Sequence, residues 1–263
     1  MKAAIVYKQN SLDTAKDVKS FLDERGVSSD LFQTPPEELE SYDFIVSVGG
    51  DGTILRILQK VLKCPPIFGI NTGKIGLLTH SDPENFRPAL EQVVEGKTEV
   101  EEFMRIECYI NDESKLIAMN EVALLSSAPA RLIGMSVSVD GVEIENMRGD
   151  GMLFSTPVGS TAYALSTGGP IVDPLLQSIL IVPVAPFKLG WKPWVIHADR
   201  TIEVKLHPER KALAIADSHK VVEVSPDDRI KIVKSNYPAV FFKSPVMRIK
   251  KIVGMLKQLA RNP

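Results

Sequence analysis

At 263 residues with a formal net charge of −2, the chain suits one large or two modest domains and offers no bulk electrostatic reason to bind nucleic acid or an anionic membrane surface. The two cysteines, Cys64 and Cys108, lie far apart and form neither a disulfide framework nor a paired metal motif, so packed thiols in a reducing compartment are expected. Met1 to Tyr7 is too short for a signal segment, and the run from Leu175 to Phe187 is broken by Gln177, Ser178 and prolines before it could span a bilayer, so a cytoplasmic soluble protein with no membrane partner is expected.

Strand and helix signals alternate in the first third. Ala3 to Tyr7 reads as a strand, Thr14 to Arg25 as an amphipathic helix ended by Gly26, Phe44 to Val48 as a buried strand, and Ile54 to Leu62 as the next helix. Pro66 to Ile70 reads as a further strand and Pro83 to Glu95 as a helix, which is βαβ punctuation and predicts a parallel sheet with helices on its faces. Between the second strand and its helix stands Gly49-Gly50-Asp51-Gly52-Thr53, a carboxylate among glycines at the carboxyl end of a strand. Ligands collect there in open α/β sheets, and glycines let backbone N–H groups approach a phosphate. The same pentapeptide also fits a tight turn with a capping Asp. A second Gly-rich loop, Asn71 to Leu78, departs from a P-loop because Ile75 follows Lys74.

The character changes at Gly96 to Glu102. Short β-like runs follow at Arg105 to Ile110, Lys115 to Met119, Glu121 to Ser126, Met135 to Val139, Ser178 to Val184, Thr201 to Leu206, Ala212 to Ala216, Val221 to Val224 and Arg229 to Val233. That many short strands between turns predicts a β-sandwich. The expected organisation is an α/β, Rossmann-like domain over 1–98, a β-sandwich domain over 99–242 and a C-terminal helix within 243–263 that packs back on the first domain. Basic residues along Val246 to Ala260 are expected to form a solvated face. Asp150 to Pro170 concentrates hydroxyls, glycines and Tyr163 in one loop leading into a helix around Ser160 to Ser166, suited to ribose, phosphate and a flat ring.

Four segments taken together, Gly49 to Thr53, Gly69 to Gly76, Asn120-Glu121 and Asp150 to Pro170, resemble those of the NAD kinase family in sequence and order. The resemblance implies phosphorylation of the 2′-hydroxyl of the adenosine ribose of NAD to give NADP. It makes Asp51 the catalytic base, with Gly52 against NAD and Arg56 near substrate phosphate, although a solvated helix position fits Arg56 as well. Asn120 and Glu121 would hold ribose hydroxyls. Thr161, Ala162, Tyr163, Ala164, Leu165 and Ser166 would surround adenine and ribose, while Arg148, Asp150 and Ala185 would meet the nicotinamide side and Arg131 is a candidate by position alone. Gly49, Gly50, Gly52, Thr53, Asn71 and Gly73 would bind phosphate.

Three positions depart from the family pattern: Leu77 replaces a common Phe, Val158 a Thr or Ser, and Asp217-Ser218-His219 the usual Asp-Gly-Gln, leaving His219 as the candidate donor. No cluster of His, Cys and carboxylates has structural-metal spacing, so Mg²⁺ is expected to arrive with the phosphates of ATP or polyphosphate rather than in a protein cage. A homodimer or homotetramer is expected from the resemblance. Two alternatives share parts of the pattern: a lipid or sphingoid kinase with the same first loop, and a non-catalytic NAD(P)-binding regulator.

Overall fold

The computed structural model describes residues 1–128, 130–188, 190–244 and 248–261. In chain order its elements begin with β1 (Lys2–Tyr7), α1 (Leu12–Asp23), β2 (Ser28–Phe32), β3 (Phe44–Gly49), α2 (Asp51–Leu58), β4 (Ile67–Asn71), α3 (Phe86–Val94) and β5 (Val100–Phe103). There follow β6 (Ile106–Ile110), β7 (Glu113–Ala118), β8 (Glu121–Ser126), β9 (Ile133–Val139), β10 (Val142–Gly149), β11 (Gly151–Ser155), α4 (Tyr163–Ser166) and β12 (Ser178–Val184). The chain ends with β13 (Trp194–His197), β14 (Ile202–Leu206), β15 (Ala212–Ala216), β16 (Lys220–Val224), β17 (Ile230–Lys234), β18 (Ala239–Phe242) and α5 (Arg248–Arg261). Two units result: Met1–Glu102 with Tyr237–Pro263, and Phe103–Asn236.

The first unit is built on a six-stranded sheet in the order β2-β1-β3-β4-β18-β5. The pairs β1/β2, β1/β3, β3/β4 and β4/β18 are parallel. Strands covered on both faces must be apolar nearly throughout, which is why β3 is buried at every position. Its alternate residues Phe44, Val46 and Val48 meet Val18, Phe21 and Leu22 of α1 and Phe86, Leu90 and Val93 of α3 in one core. Within that core Phe21 and Phe86 pack edge to face with centroids 5.8 Å apart. α1 ends as expected: Gly26 takes φ +70°, a conformation open to glycine, and the Val27 N–H returns to the Leu22 carbonyl at 3.0 Å.

The second unit contains two six-stranded antiparallel sheets, β10-β9-β14-β17-β6-β7 and β13-β12-β11-β8-β15-β16. Their inner residues share one core, with Ile106, Cys108 and Val204 from the first sheet and Leu124, Phe154 and Ile181 from the second. This is the expected sandwich. β14 shows its logic, since Ile202, Val204 and Leu206 are buried while Glu203 and Lys205 face water.

Several elements differ from expectation. The sequence does not mark β2 or β10, because both are edge strands with polar sequences, SSDLF and VEIENMRG. Gly151–Ser155 is not part of a loop; it is the buried strand β11, paired with β8 and β12. The two ends of the segment expected as the β domain, Val100–Phe103 and Ala239–Phe242, extend the first sheet instead, because Phe103, Ala239, Phe241 and Phe242 bury against it. α5 belongs to the first unit and buries Ile252 and Met255. The expected start of this helix at Val246 lies outside the described residues.

Candidate active site

The apolar strand β3 ends at Gly49, and Gly50 precedes the first turn of α2, so Asp51 is the first residue of a helix. Helix N-termini favour anions, and here the carboxylate is also gripped from the second Gly-rich loop. Asp51 Oδ2 accepts the Leu77 N–H at 3.0 Å and Oδ1 accepts the Leu78 N–H at 2.9 Å. Burial raises the Asp51 pKa above the ordinary carboxylate value, opposed by these two bonds and by the charges of Lys251 and Arg248. Each carboxylate oxygen retains a second acceptor direction.

The two loops are tied together. The Thr72 N–H donates to the Gly49 carbonyl at 3.1 Å, and Asn71 both accepts from the Gly73 N–H at 3.0 Å and donates to the Gly73 carbonyl at 3.3 Å. A Cβ on Gly49 would collide with the Thr53 side chain, whereas Gly50 and Gly52 face open space. Of the expected phosphate donors, then, Gly50 and Gly52 present open backbone. Thr53 is buried with its N–H on the Gly50 carbonyl at 2.9 Å, and the Gly73 N–H is occupied by Asn71. Arg56 is half-buried on α2.

Two residues on α5 escaped the sequence reading. Arg248 donates to Glu101 Oε1 from Nη2 at 2.6 Å and to the Leu77 carbonyl from Nη1 at 3.0 Å, with its side chain 11% exposed. Lys251 donates to the carbonyls of Gly76, at 3.2 Å, and Thr79. The expected solvated basic face is thus only part of the helix: Lys250 and Lys257 face water while Arg248 and Lys251 turn inward. Their three-residue spacing on a predicted helix places them on one face, but nothing in the sequence marks their acceptors.

In the second unit, β7 and β8 are joined through Met119 and Asn120, whose backbone is fixed by the buried Asp217 carboxylate. Oδ2 accepts the Met119 N–H at 2.8 Å, and Oδ1 accepts those of Asn120 at 2.7 Å and Glu121 at 3.2 Å. Asp217 and Ser218 turn the chain from β15 to β16 with φ of +48° and +60°. The family pattern has glycine at 218, which suits this conformation; serine adopts it here. The Asn120 carbonyl in turn accepts the Thr156 N–H at 2.8 Å and the Ser155 hydroxyl at 3.1 Å.

Glu121 is 5% exposed, accepts the Tyr163 N–H, and its Oε2 has no hydrogen-bond partner among the described residues. Burial first, and then the neighbouring Asp217 charge, push its pKa up to about 8. Asn120, Glu121 and Tyr163 are thereby brought together. Ala164 is buried, Thr161, Ala162 and Leu165 are half-buried, and Tyr163 and Ser166 are exposed. Val158 is buried. His219 is exposed and its Nδ1 donates to the Asp217 carbonyl at 2.5 Å.

Arg148, Asp150 and Ala185 are exposed and adjacent. Arg148 accepts the Phe187 N–H on its carbonyl at 2.8 Å and pairs with Glu209 at 2.8 Å; Asp150 donates its N–H to the Val184 carbonyl at 2.9 Å; Ala185 has φ +44°. Arg131 is exposed on a separate connection between β8 and β9.

Comparison with known proteins gives the same answer as the motifs. Residues 4–98 match the ATP-NAD kinase N-terminal domain and residues 119–244 the ATP-NAD kinase C-terminal domain. An NAD kinase of Archaeoglobus fulgidus is 48% identical over 259 residues, covering 98% of this chain and 100% of the relative. An NAD kinase of Methanosarcina acetivorans is 44% identical over 217 residues, 81% of this chain and 78% of the relative. The crystal structure of an NAD kinase from A. fulgidus in complex with ATP superposes with a TM-score of 0.89 at 47% identity, covering 98% of this chain and 99% of that one. Yeast NADH kinase complexed with NADH shares the fold at 22% identity, with a TM-score of 0.88 over 98% of this chain and 87% of that one.

Fold and relatives define a phosphotransferase. The chain belongs to the NAD kinase family. Neither the lipid kinase nor the non-catalytic regulator is supported by these likenesses.

Proposed function

We propose that this chain transfers the terminal phosphoryl group of ATP to the 2′-hydroxyl of the adenosine ribose of NAD, giving NADP and ADP, with Asp51 as general base. The observation that carries the reading is the Asp51 carboxylate, immobilised by the Leu77 and Leu78 amides with acceptor capacity to spare. As the hydroxyl oxygen bonds to phosphorus, its proton passes to Asp51 and the bond from phosphorus to the bridging oxygen breaks, with the electron pair leaving on ADP. A positioned base of this kind contributes roughly 10²–10⁴ in rate. The rest is alignment and charge neutralisation.

Asn120 and Glu121 hold the ribose in this reading. The buried Oε2 of Glu121, with no partner among the described residues, is a polar atom that a sugar hydroxyl, able to donate or accept, would satisfy. Thr161 to Ser166 line adenine and ribose, and Arg148, Asp150, Ala185, Arg131 and His219 are assigned to the remainder of NAD. Gly49, Gly50, Gly52, Thr53, Asn71, Gly73 and Arg56 serve the phosphates, with Gly50 and Gly52 offering the openest backbone. Mg²⁺ enters as part of the nucleotide substrate. ATP is favoured over polyphosphate because the similar A. fulgidus protein is seen with ATP.

We assign the protein to the cytoplasm as a homo-oligomer. Neither cysteine is in a disulfide, and no described helix is long and apolar enough to cross a membrane. The experiment is NADP formation by the purified protein with Mg²⁺, comparing ATP with polyphosphate and NAD with NADH. NADP made from NAD and ATP supports the reading; NAD binding without turnover on any donor contradicts it.

A further inference from the structure

Between Asp51 and α5 lie two peptide groups, each loaded at both ends. The Gly76–Leu77 group donates its N–H to Asp51 Oδ2 at 3.0 Å and accepts Lys251 Nζ on its carbonyl at 3.2 Å. The Leu77–Leu78 group donates its N–H to Asp51 Oδ1 at 2.9 Å and accepts Arg248 Nη1 on its carbonyl at 3.0 Å. We propose that Arg248 and Lys251 are positioning residues for Asp51, acting through these two peptide groups; the inference rests on the reading of Asp51 as the general base.

A cation on a carbonyl polarises the amide and strengthens the hydrogen bond its N–H donates, by roughly 10–30% per bond in linked chains. Both amides that hold Asp51 receive this treatment, one from each cation. The same bonds fix the Gly76–Thr79 backbone from its carbonyl side, since Lys251 also reaches the Thr79 carbonyl, so the amides cannot swing away from the carboxylate.

The arrangement is also costly in a way that simple packing would not require. Burial lowers the Arg248 pKa; burial and the neighbouring Arg248 charge lower that of Lys251 to about 8. Apolar side chains would dock a helix without that penalty. The charged groups around the pair are Glu101, bonded to Arg248 at 2.6 Å, and Asp51; His80, the other titratable neighbour, is held neutral, its pKa lowered to about 4 by burial. Two cations therefore face two carboxylates. Glu101 neutralises one, and Asp51 is the other. The two cations oppose the upward push that burial gives the Asp51 pKa.

The test compares wild type, Lys251→Met, Lys251→Arg, Arg248→Gln and Asp51→Asn. Three quantities are read: the pH profile of kcat, KM for NAD and ATP, and the ¹³C titration of the Asp51 carboxyl, assigned as the resonance missing from Asp51→Asn. Lys251→Met and Arg248→Gln are expected to move the acid limb of kcat and the Asp51 titration upward in pH. They should lower kcat at pH 7 about tenfold while KM for NAD stays within about twofold, because they act on the base and not on substrate binding. Lys251→Arg should restore both.

An Asp51 titration that stays in place in both variants overturns the proposal, and so does a Lys251→Met protein whose kcat falls with an unmoved acid limb. Should Lys251→Met not fold, Lys251→Gln supplies the same two readings. Activity retained in Asp51→Asn would instead overturn the assignment of the base, and the carboxyl titration would still decide whether the two cations act on Asp51.

Discussion

Asp217 Oδ1 lies 2.7 Å from the backbone nitrogen of Asn120, so a buried carboxylate in one β-turn holds the peptide chain at another. The same carboxylate takes the N–H groups of Met119 and Glu121. Removing it strands buried donors, each costing about 1–3 kcal/mol. Asp217→Ala is therefore expected to lose about 3 kcal/mol or more of stability in urea denaturation and to weaken NAD binding. Asp217→Asn, which keeps one acceptor oxygen, should lose less.

Glu121 gives a pH dependence of definite sign. Its folded-state pKa of about 8 stands above the ordinary carboxylate value of 4.5, so between these limits the unfolded chain gives up a proton that the folded protein retains. Its contribution to stability therefore falls as pH rises from about 4.5 to about 8, by an amount on the order of a few kcal/mol. Glu121→Gln should remove this slope and leave the variant more stable than wild type at pH 8, read as urea midpoints across that range. A slope unchanged by the substitution would show that Glu121 is ionised in the folded protein.

His80 has the opposite sign. Its Nδ1 accepts the Gly69 N–H at 2.9 Å and its Nε2–H donates to the Phe242 carbonyl, which requires the neutral ring. Burial lowers its pKa from 6.5 to about 4, so its contribution is full above about pH 6.5 and is lost as pH falls towards 4. His80→Gln should be less stable than wild type at pH 7, with the difference narrowing as pH falls towards 4.

Gly159 packs its Cα against the Asn120 peptide; a Cβ there would lie 2.5 Å from the Asn120 carbonyl carbon. Backbone cannot yield cheaply, so Gly159→Ala is expected to displace the Asn120-Glu121 turn. KM for NAD should rise about tenfold or more while KM for ATP changes little, a displacement effect of the kind that misplaced contacts produce.

The strand, loop and helix around Asp51 were legible because Phe44 to Val48 is apolar except for Ser47, glycines cluster where that strand ends, and α2 buries residues at helical spacing. Two edge strands, β2 and β10, were not legible: their sequences are mostly polar, whereas the edge strands β7 and β16 carry enough apolar residues to be read. Gly151–Ser155 was hidden by the hydroxyl-rich segment that follows it, although Met152, Leu153 and Phe154 are fully buried. Periodicity could suggest that α5 is a helix, yet it could not say that Arg248 and Lys251 meet the carbonyls of Gly76, Leu77 and Thr79, because acceptors over 170 residues away leave no local trace. The same applies to Asp217, whose partners Met119 to Glu121 lie 96 to 98 positions earlier.

In this mechanism Asp51 takes the proton of the ribose hydroxyl. The most direct measurement is the rate of NADP formation from NAD and ATP by Asp51→Asn beside wild type, with NAD affinity measured on both. Loss of a base predicts a fall in kcat of roughly 10²–10⁴ with NAD affinity within a few-fold of wild type. A variant that makes NADP at the wild-type rate would contradict it.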